Sequence, residues 1–439
     1  MTLSSNQKRL MIAAPASGSG KTVLTLALLR ALKDRRIDIA GAKAGPDYID
    51  PAFHAVAAGR PSVNLDPWAM TDARLASLAG AQGADYLLAE AMMGLFDGAA
   101  DGSGSAADLA VSLGMPVLLV VDAAKQSHSI AALVEGFAHH RKDTAVAGVL
   151  LNKVGSDRHE ALLREALKPL GLPVVGAVKR SDGLALPERH LGLVQARERT
   201  DIEGFIANAA QTIAQSCDME LLVSLFQPGG DRSLDGQADS GRLPPPGQKT
   251  AVAQDEAFAF CYPHMLADWR AQGAEISFFS PLGDEAPAAG ADAVFLPGGY
   301  PELHAGKLAA AGQFKAGMAA AAERGALIYG ECGGYMVLGE SLIDAAGKAH
   351  AMLGLLPLVT SFERRKLHLG YRRISAQGDF VFGKMLRGHE FHYTSAVREA
   401  GEPLFSARDA LGADLGSCGL RNANVMGSYL HVIDAEENA

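Results

Sequence analysis

Residues 15–22 of this chain read Pro-Ala-Ser-Gly-Ser-Gly-Lys-Thr, and what flanks them limits the fold severely. Arg9 to Ala14 is a short apolar run predicted as a buried strand, and Val23 to Leu32 is predicted as a helix. A strand, a glycine-rich loop closing on Gly-Lys-Thr and a helix form the context a phosphate-binding loop requires. Backbone N–H groups of Gly18, Ser19 and Gly20 would cradle phosphates at the helix start. Lys21 would neutralise the outer phosphates, and the Thr22 hydroxyl could join a Mg²⁺ shell. Pro15 stands where the pattern usually has its first glycine.

The stretches that follow continue an alternating pattern. Strands are predicted at Ile39 to Ala44, Asp85 to Ala89, Pro116 to Asp122, Val146 to Leu151 and Pro173 to Val178, with a helix at Ser129 to Phe137. Nearly continuous apolar strands after a phosphate loop indicate a doubly wound parallel sheet. Ligands of such sheets gather at the C-terminal strand ends. There lie Lys43 with Gly45-Pro46-Asp47-Tyr48-Ile49-Asp50-Pro51, and Glu90 with Met92-Met93-Gly94-Leu95-Phe96-Asp97. Asp47 and Glu90 are candidate Mg²⁺ ligands; Tyr48 and Asp97 lie one step further out, where an acceptor would sit. Taken singly, such acids are more often caps or turn residues. Asn152-Lys153 is either an adenine contact or an ordinary loop.

With 439 residues the chain exceeds one ordinary core, so two α/β domains are expected. Residues 1–226 are assigned to the phosphate-loop domain and 249–439 to a second domain. Residues 227–248, rich in Pro, Gly, Asp and Ser, form a linker. The net charge of −9 argues against a general nucleic-acid or membrane-surface binder. Cys217, Cys261, Cys332 and Cys418 are scattered, without zinc-type pairs or a secreted framework. No stretch at the N-terminus reads as a signal or membrane span, so a soluble, cytoplasmic protein is expected.

The second half repeats the α/β pattern, with strands at Thr250 to Ala253, Glu275 to Ser280 and Ala293 to Leu296. Helices are predicted at His264 to Gln272 and Lys307 to Arg324. Ala326-Leu327-Ile328-Tyr329-Gly330-Glu331-Cys332-Gly333-Gly334-Tyr335 then has the layout of a nucleophile elbow: strand, sharp turn, helix. A cysteine at a helix N-terminus has its thiolate favoured by the dipole. The Gly333 N–H is placed to hold an oxyanion, and a glycine pair at 298–299 after a strand can do the same. A buried structural cysteine in a glycine-rich turn is the competing interpretation. A nucleophilic thiol needs a base, and His264, His304, His350, His368, His389, His392 and His431 are all available in this half. Arg364-Arg365-Lys366 with Arg372-Arg373 is either a site for substrate carboxylates or a solvated face.

Pro297-Gly298-Gly299-Tyr300-Pro301-Glu302, Gly330-Glu331-Cys332-Gly333-Gly334-Tyr335, Gly388-His389-Glu390-Phe391-His392-Tyr393 and Gly427-Ser428-Tyr429-Leu430-His431 resemble the glutamine amidotransferase domain of the corrin-ring a,c-diamide synthases. The Gly-Ser-Gly-Lys-Thr and Gly-Pro-Asp-Tyr-Ile-Asp-Pro motifs look like that family's ATP-dependent synthetase domain, which is related to dethiobiotin synthetase. The resemblance covers essentially the whole chain in the family's order. It implies Cys332 as glutaminase nucleophile, His431 as its base, and Gly299 and Gly333 as oxyanion hole. It further implies Gly18, Ser19, Gly20, Lys21 and Thr22 as ATP contacts. Thr22, Asp47 and Glu90 would be Mg²⁺ ligands, and Tyr48 and Asp97 acceptor contacts. The substrates implied are ATP, L-glutamine and a corrinoid acid, with hydrogenobyrinic acid favoured over cobyrinic acid. An enclosed route would carry ammonia between the sites, and a homodimer is among the assemblies open to it. Class I glutaminases usually carry an acid two residues after the histidine; here that position is Ile433, as in this subfamily, which leaves open what orients His431. The rivals are a cobyric acid synthase-type amidase and a partition- or carrier-type P-loop ATPase. The latter carries an extra signature lysine where this chain has Ala16.

Overall fold

A computed structural model describes residues 7–184, 188–189, 192–193, 201–229 and 242–436. The centre of the expected linker, residues 230–241, lies outside the described residues. The chain divides into two compact units, residues 1–239 and 240–439. Both are α/β.

In the first unit β1 (Lys8–Ala13) is followed by α1 (Lys21–Asp34), β2 (Ile39–Ala44), α2 (Asp50–Ala58), β3 (Val63–Leu65) and α3 (Asp72–Gly80). Then come β4 (Tyr86–Glu90), α4 (Ala106–Ser112), β5 (Val117–Asp122), α5 (Ile130–His139), β6 (Val146–Val154), α6 (Asp157–Leu167) and β7 (Val174–Lys179). The strands lie in the order β3-β2-β4-β1-β5-β6-β7, all parallel. Helices on both faces explain why β1 and β5 are apolar almost throughout: a parallel strand has no wet side. The order reverses at β1, so the loop after it opens at the switch point where such sheets bind ligands. A two-residue hairpin, β8 (Glu188–Arg189) and β9 (Gly192–Leu193), precedes α7 (Ile202–Ser216) and α8 (Met219–Ser224). β10 (Gln227–Pro228) adds to β1 antiparallel.

The second unit starts with β11 (Lys249–Ala253), α9 (Pro263–Ala271), β12 (Glu275–Phe279) and β13 (Ala293–Leu296). The helix expected over Lys307 to Arg324 is two helices, α10 (Ala305–Ala310) and α11 (Gly312–Glu323). Ala311 leaves the helical region at φ −72°, ψ 87°. The break lets Leu308 and Phe314 both enter the core, which one continuous helix would put on different faces. β14 (Leu327–Glu331) and α12 (Gly333–Leu338) follow. A small sheet comes from β15 (Ser341–Ile343), β16 (Ala349–Ala351), β17 (Leu358–Ser361) and β20 (Ser395–Glu399). β18 (His368–Ala376), β19 (Met385–His392), β21 (Glu402–Arg408), β22 (Asp414–Asn422), β23 (Val425–Ser428) and β24 (Leu430–Ala435) complete the main sheet, ordered β12-β11-β13-β14-β23-β22-β21-β18-β19-β24. Its first five strands pair parallel and the rest antiparallel.

Candidate functional sites

The first site lies at the C-terminal ends of β1, β2 and β4. Gly18 and Gly20 take φ of 78° and 88°, a region that costs a side chain dearly. A Cβ on Gly20 would also collide with the Asn152 amide. Asn152 Nδ2 donates to the Ser19 carbonyl at 2.9 Å, and Lys153 Nζ to the Gly18 carbonyl at 2.9 Å. The side chains weighed as an adenine contact or plain loop thus clamp the phosphate loop. Lys21 and Thr22 sit in the first turn of α1 rather than before the helix. Lys21 Nζ donates to Met93 O (2.5 Å) and Ala16 O (3.3 Å). Burial lowers its pKa to about 8, partly offset by Glu90.

Around Thr22 the oxygens converge. Its hydroxyl donates to Glu90 Oε1 at 2.6 Å and lies 3.4 Å from Asp50 Oδ2. Lys43 Nζ bridges Asp50 (2.5 Å) and Glu90 (2.9 Å), and His54 Nε2 meets the other Glu90 oxygen at 2.8 Å. Burial opposes charge on both Lys43 and Glu90. Asp50, Glu90 and Asp47 outweigh it at Lys43; Lys43, His54 and Thr22 outweigh it at Glu90. Each is therefore held firmly ionised.

Asp47 stands aside from this cluster. Its Oδ1 accepts the N–H groups of Ile49 and Asp50, capping the start of α2, and its Oδ2 is 3.9 Å from Lys43. Asp50 is nearer to Thr22. Sequence reasoning passed over Asp50, Lys43 and His54 as site residues, although the first two stand in the segment it singled out. Tyr48 is half-buried in the same turn, and Asp97 is exposed, accepting from Gly94 N at 2.8 Å.

The second site is built on the turn between β14 and α12. Cys332 has φ 47° and ψ −104°, the strained geometry of a nucleophile elbow. A Cβ on Gly330 or Gly334 would meet the opposing backbone, so glycines let α12 close on β13 and β14. A Cβ on Gly298 would lie 2.5 Å from His431 Cε1 and 3.4 Å from Cys332 Cβ, so thiol and imidazole flank one point. The backbone N of Gly299 is 3.0 Å from where a Gly333 Cβ would be, which brings both candidate oxyanion donors together.

The dipole at Cys332 does not decide its state. Burial, then the charges of Glu302, Glu331 and Glu390, push the thiol far up, against a hydrogen bond from Gly333 N–H. The thiolate expected from the helix position is thus overruled: α12 has six residues and the site is dry. His431 is equally desolvated and held neutral, and His389 and His392 lower its pKa further. Of the seven histidines left open by the sequence, four gather here: His389, His392 and His431, with His368 stacked on His392 at 4.7 Å. His389 and His431 stack at 4.7 Å across β19 and β24, and His392 stacks on Tyr429 at 4.2 Å.

Arg372 is not available to a substrate carboxylate: it forms a two-pronged bond to Glu390 at 2.7 and 3.0 Å. Arg364, Arg365 and Lys366 are exposed. Among the described residues, no helix is long and apolar enough to cross a membrane.

Residues 10–194 match the family described as CobQ/CobB/MinD/ParA nucleotide binding domain, and residues 249–439 the CobB/CobQ-like glutamine amidotransferase domain. A hydrogenobyrinate a,c-diamide synthase of Rhizobium meliloti (strain 1021) is 58% identical over 98% of this chain and 99% of its own. That of Brucella anthropi is 58% identical over 97% of this chain and 98% of its own. That of Rhodobacter capsulatus is 51% identical over 98% of this chain and all of its own (100%). With a phosphate loop and a cysteine elbow in the same order along matched full lengths, the chain belongs to the hydrogenobyrinate a,c-diamide synthase family.

Proposed function

We propose that the protein is a carbon–nitrogen ligase that amidates the a and c side-chain carboxylates of hydrogenobyrinic acid, using ATP and L-glutamine, in cobalamin biosynthesis. The observation that carries this is the presence in one chain of a phosphate loop with Lys21 at its helix start and a cysteine elbow facing His431. Residues 1–226 act as synthetase domain, 227–248 as linker and 249–439 as glutaminase.

In the glutaminase, His431 takes the Cys332 proton as sulfur attacks the glutamine side-chain carbonyl. Gly299 and Gly333 N–H groups receive the oxyanion. The C–N bond breaks with the proton returned to nitrogen, releasing ammonia; water then cleaves the thioester to glutamate. In the synthetase, a substrate carboxylate oxygen attacks the γ-phosphorus of ATP and ADP departs. Ammonia displaces phosphate from the acyl phosphate, giving the amide. Lys21 and the loop N–H groups stabilise the transferring charge.

Thr22, Asp50 and Glu90 present the oxygen donors that Mg²⁺ takes: the Thr22 hydroxyl meets both carboxylates and both carboxylates hold one cation, Lys43, a donor set that fits such an ion, with Asp47 behind. When bound, Mg²⁺ offsets phosphate charge. Tyr48 and Asp97 meet the acceptor. The cytoplasm, which supplies ATP and glutamine, is the expected compartment, and a homodimer is the assembly to test by light scattering.

The test is release of ADP and glutamate with glutamine, Mg·ATP and either hydrogenobyrinic or cobyrinic acid, for wild type and Cys332→Ala. The variant should lose glutamine-driven turnover and keep ammonium-driven amidation. ATP hydrolysis by wild type without glutamate release on either corrinoid would instead make the chain a P-loop switch.

A further inference from the structure

We propose that Glu331 is the positioning residue for His431, the role that Ile433 cannot fill. The inference deepens the glutaminase reading and rests on it.

Ile433 is an apolar side chain, 1% exposed. Glu331 ends β14, directly before Cys332, and is itself 2% exposed. Burying a carboxyl costs free energy that its partners must offset. Oε1 has two of them: it accepts the Val432 N–H and the Tyr329 hydroxyl, each at 3.1 Å. These two donors fix the rotation of the carboxyl and leave Oε2 facing His431, 3.9 Å from Nδ1. Val432 is the neighbour of His431 on β24, so one carboxyl grips the strand carrying the base while it leads into the turn carrying the nucleophile. Catalytic hydrogen bonds are commonly long before substrate arrives and tighten in the complex.

The consequence is a choice of tautomer. With Oε2 accepting from Nδ1–H, the basic lone pair of the ring is on Nε2, the atom that would take the Cys332 proton; the Nδ1 proton stays in place throughout. Glutamine at 331 would keep its amide oxygen under Val432 and Tyr329. Its NH₂ group would then face Nδ1, which drives the imidazole proton to Nε2 and blocks the base. The same logic applies to the asparagine substitution of the acid in the serine protease triad.

Burial pushes the Glu331 carboxyl up to about 8. A protonated carboxyl would donate to Nδ1 as the amide does, so glutamine turnover should rise with pH through that range. The other titratable groups facing the pair are Tyr329, Cys332, Cys261, His389 and His392, with Glu302 and Glu390 acting on Cys332. They remain in Glu331→Gln; losing the Glu331 charge lowers the Cys332 pKa, which by itself would raise turnover, so a lost alkaline rise together with a lowered kcat identifies Glu331.

The experiment compares wild type, Glu331→Gln, His431→Ala and the double variant in full-length enzyme, driven by glutamine and separately by ammonium. Glu331→Gln should lose on the order of 10²–10⁴-fold in kcat for glutamate release, by analogy with the misoriented triad base. Its KM for glutamine should stay within about threefold, its alkaline rise should vanish, and its ammonium-driven ADP release should match wild type. It should add nothing to His431→Ala, as expected of groups acting as a unit. A kcat within threefold of wild type overturns the proposal. So does a parallel loss of ammonium-driven activity, or losses that multiply in the double variant. Failure of wild type to release glutamate is a different result, and it removes the glutaminase reading itself.

Discussion

The phosphate-loop site and the cysteine site are both buried, yet they treat charge in opposite ways. Around Thr22, Lys43 and Glu90 stay ionised because each has opposite charges within hydrogen-bonding distance. Around Cys332, burial drives most groups towards neutrality: the thiol goes up, Glu331 rises to about 8, and His431 and His389 go down, His389 to about 3; Glu390, held by His392 and Arg372, is the exception and stays ionised. One site holds a lattice of ion pairs around Lys43 and Glu90, within which burial and Asp47 push the Asp50 carboxyl well above its usual range. The other keeps its thiol and imidazole neutral. Desolvation is common to both; the density of counter-charge decides the outcome.

The sharpest way to break the comparison is to remove one residue from each site. Cys332→Ala should cut glutamine-driven turnover by at least about 10³-fold and spare ammonium-driven turnover. Lys21→Ala should cut both by a similar factor, read as ADP release. Next in size is stability. Glu90→Gln leaves Lys43 and His54 facing a neutral amide and should lower unfolding free energy by about 3–5 kcal/mol in urea. Glu331→Gln, at a carboxyl neutral below about pH 8, should cost under about 1 kcal/mol at pH 7.

Lys21 offers an effect of opposite sign, smaller than that of Glu90→Gln. Its folded pKa, about 8, lies below the ordinary lysine value of 10.5, so the native state sheds this proton more readily than the unfolded chain. Its contribution is best above the unfolded pKa and is lost as pH falls through about 8. Lys21→Met should therefore stabilise the protein by about 1–3 kcal/mol at pH 7, with no gain above pH 11, while abolishing ATP use. The smallest effect concerns Glu302, whose carboxyl burial raises to about 7 and whose charge holds the Cys332 thiol up. Glu302→Gln should speed alkylation of Cys332 by iodoacetamide a few-fold at pH 8 and leave it unchanged at pH 5.5, where the carboxyl is already neutral.

What the sequence showed of these sites follows the distance between partners along the chain. The phosphate loop and the cysteine elbow are contiguous, and their glycines, strand and helix are readable together. The ion lattice is not: Lys43 meets Glu90 across 47 residues, and Thr22 meets it across 68. Asp50 looked like part of a turn because its partners are strangers in sequence. Glu331 was printed beside Cys332 all along, but its link to His431 appears only when β14 and β24 are folded into one sheet. The antiparallel strands β18 to β22 were missed for another reason. They are half-wet, with Arg, Gly and Ser interleaved, and lack the continuous apolar runs of the parallel strands.

The bare backbone at Gly298 has a practical consequence. One added methyl there would wedge between the thiol and the imidazole. Gly298→Ala should be a ligase that ignores glutamine and accepts ammonium alone. Supplied with ¹⁵N-ammonium, such an enzyme would write an isotope into the new amides of its product and nowhere else, turning a steric detail of the turn after β13 into a labelling reagent.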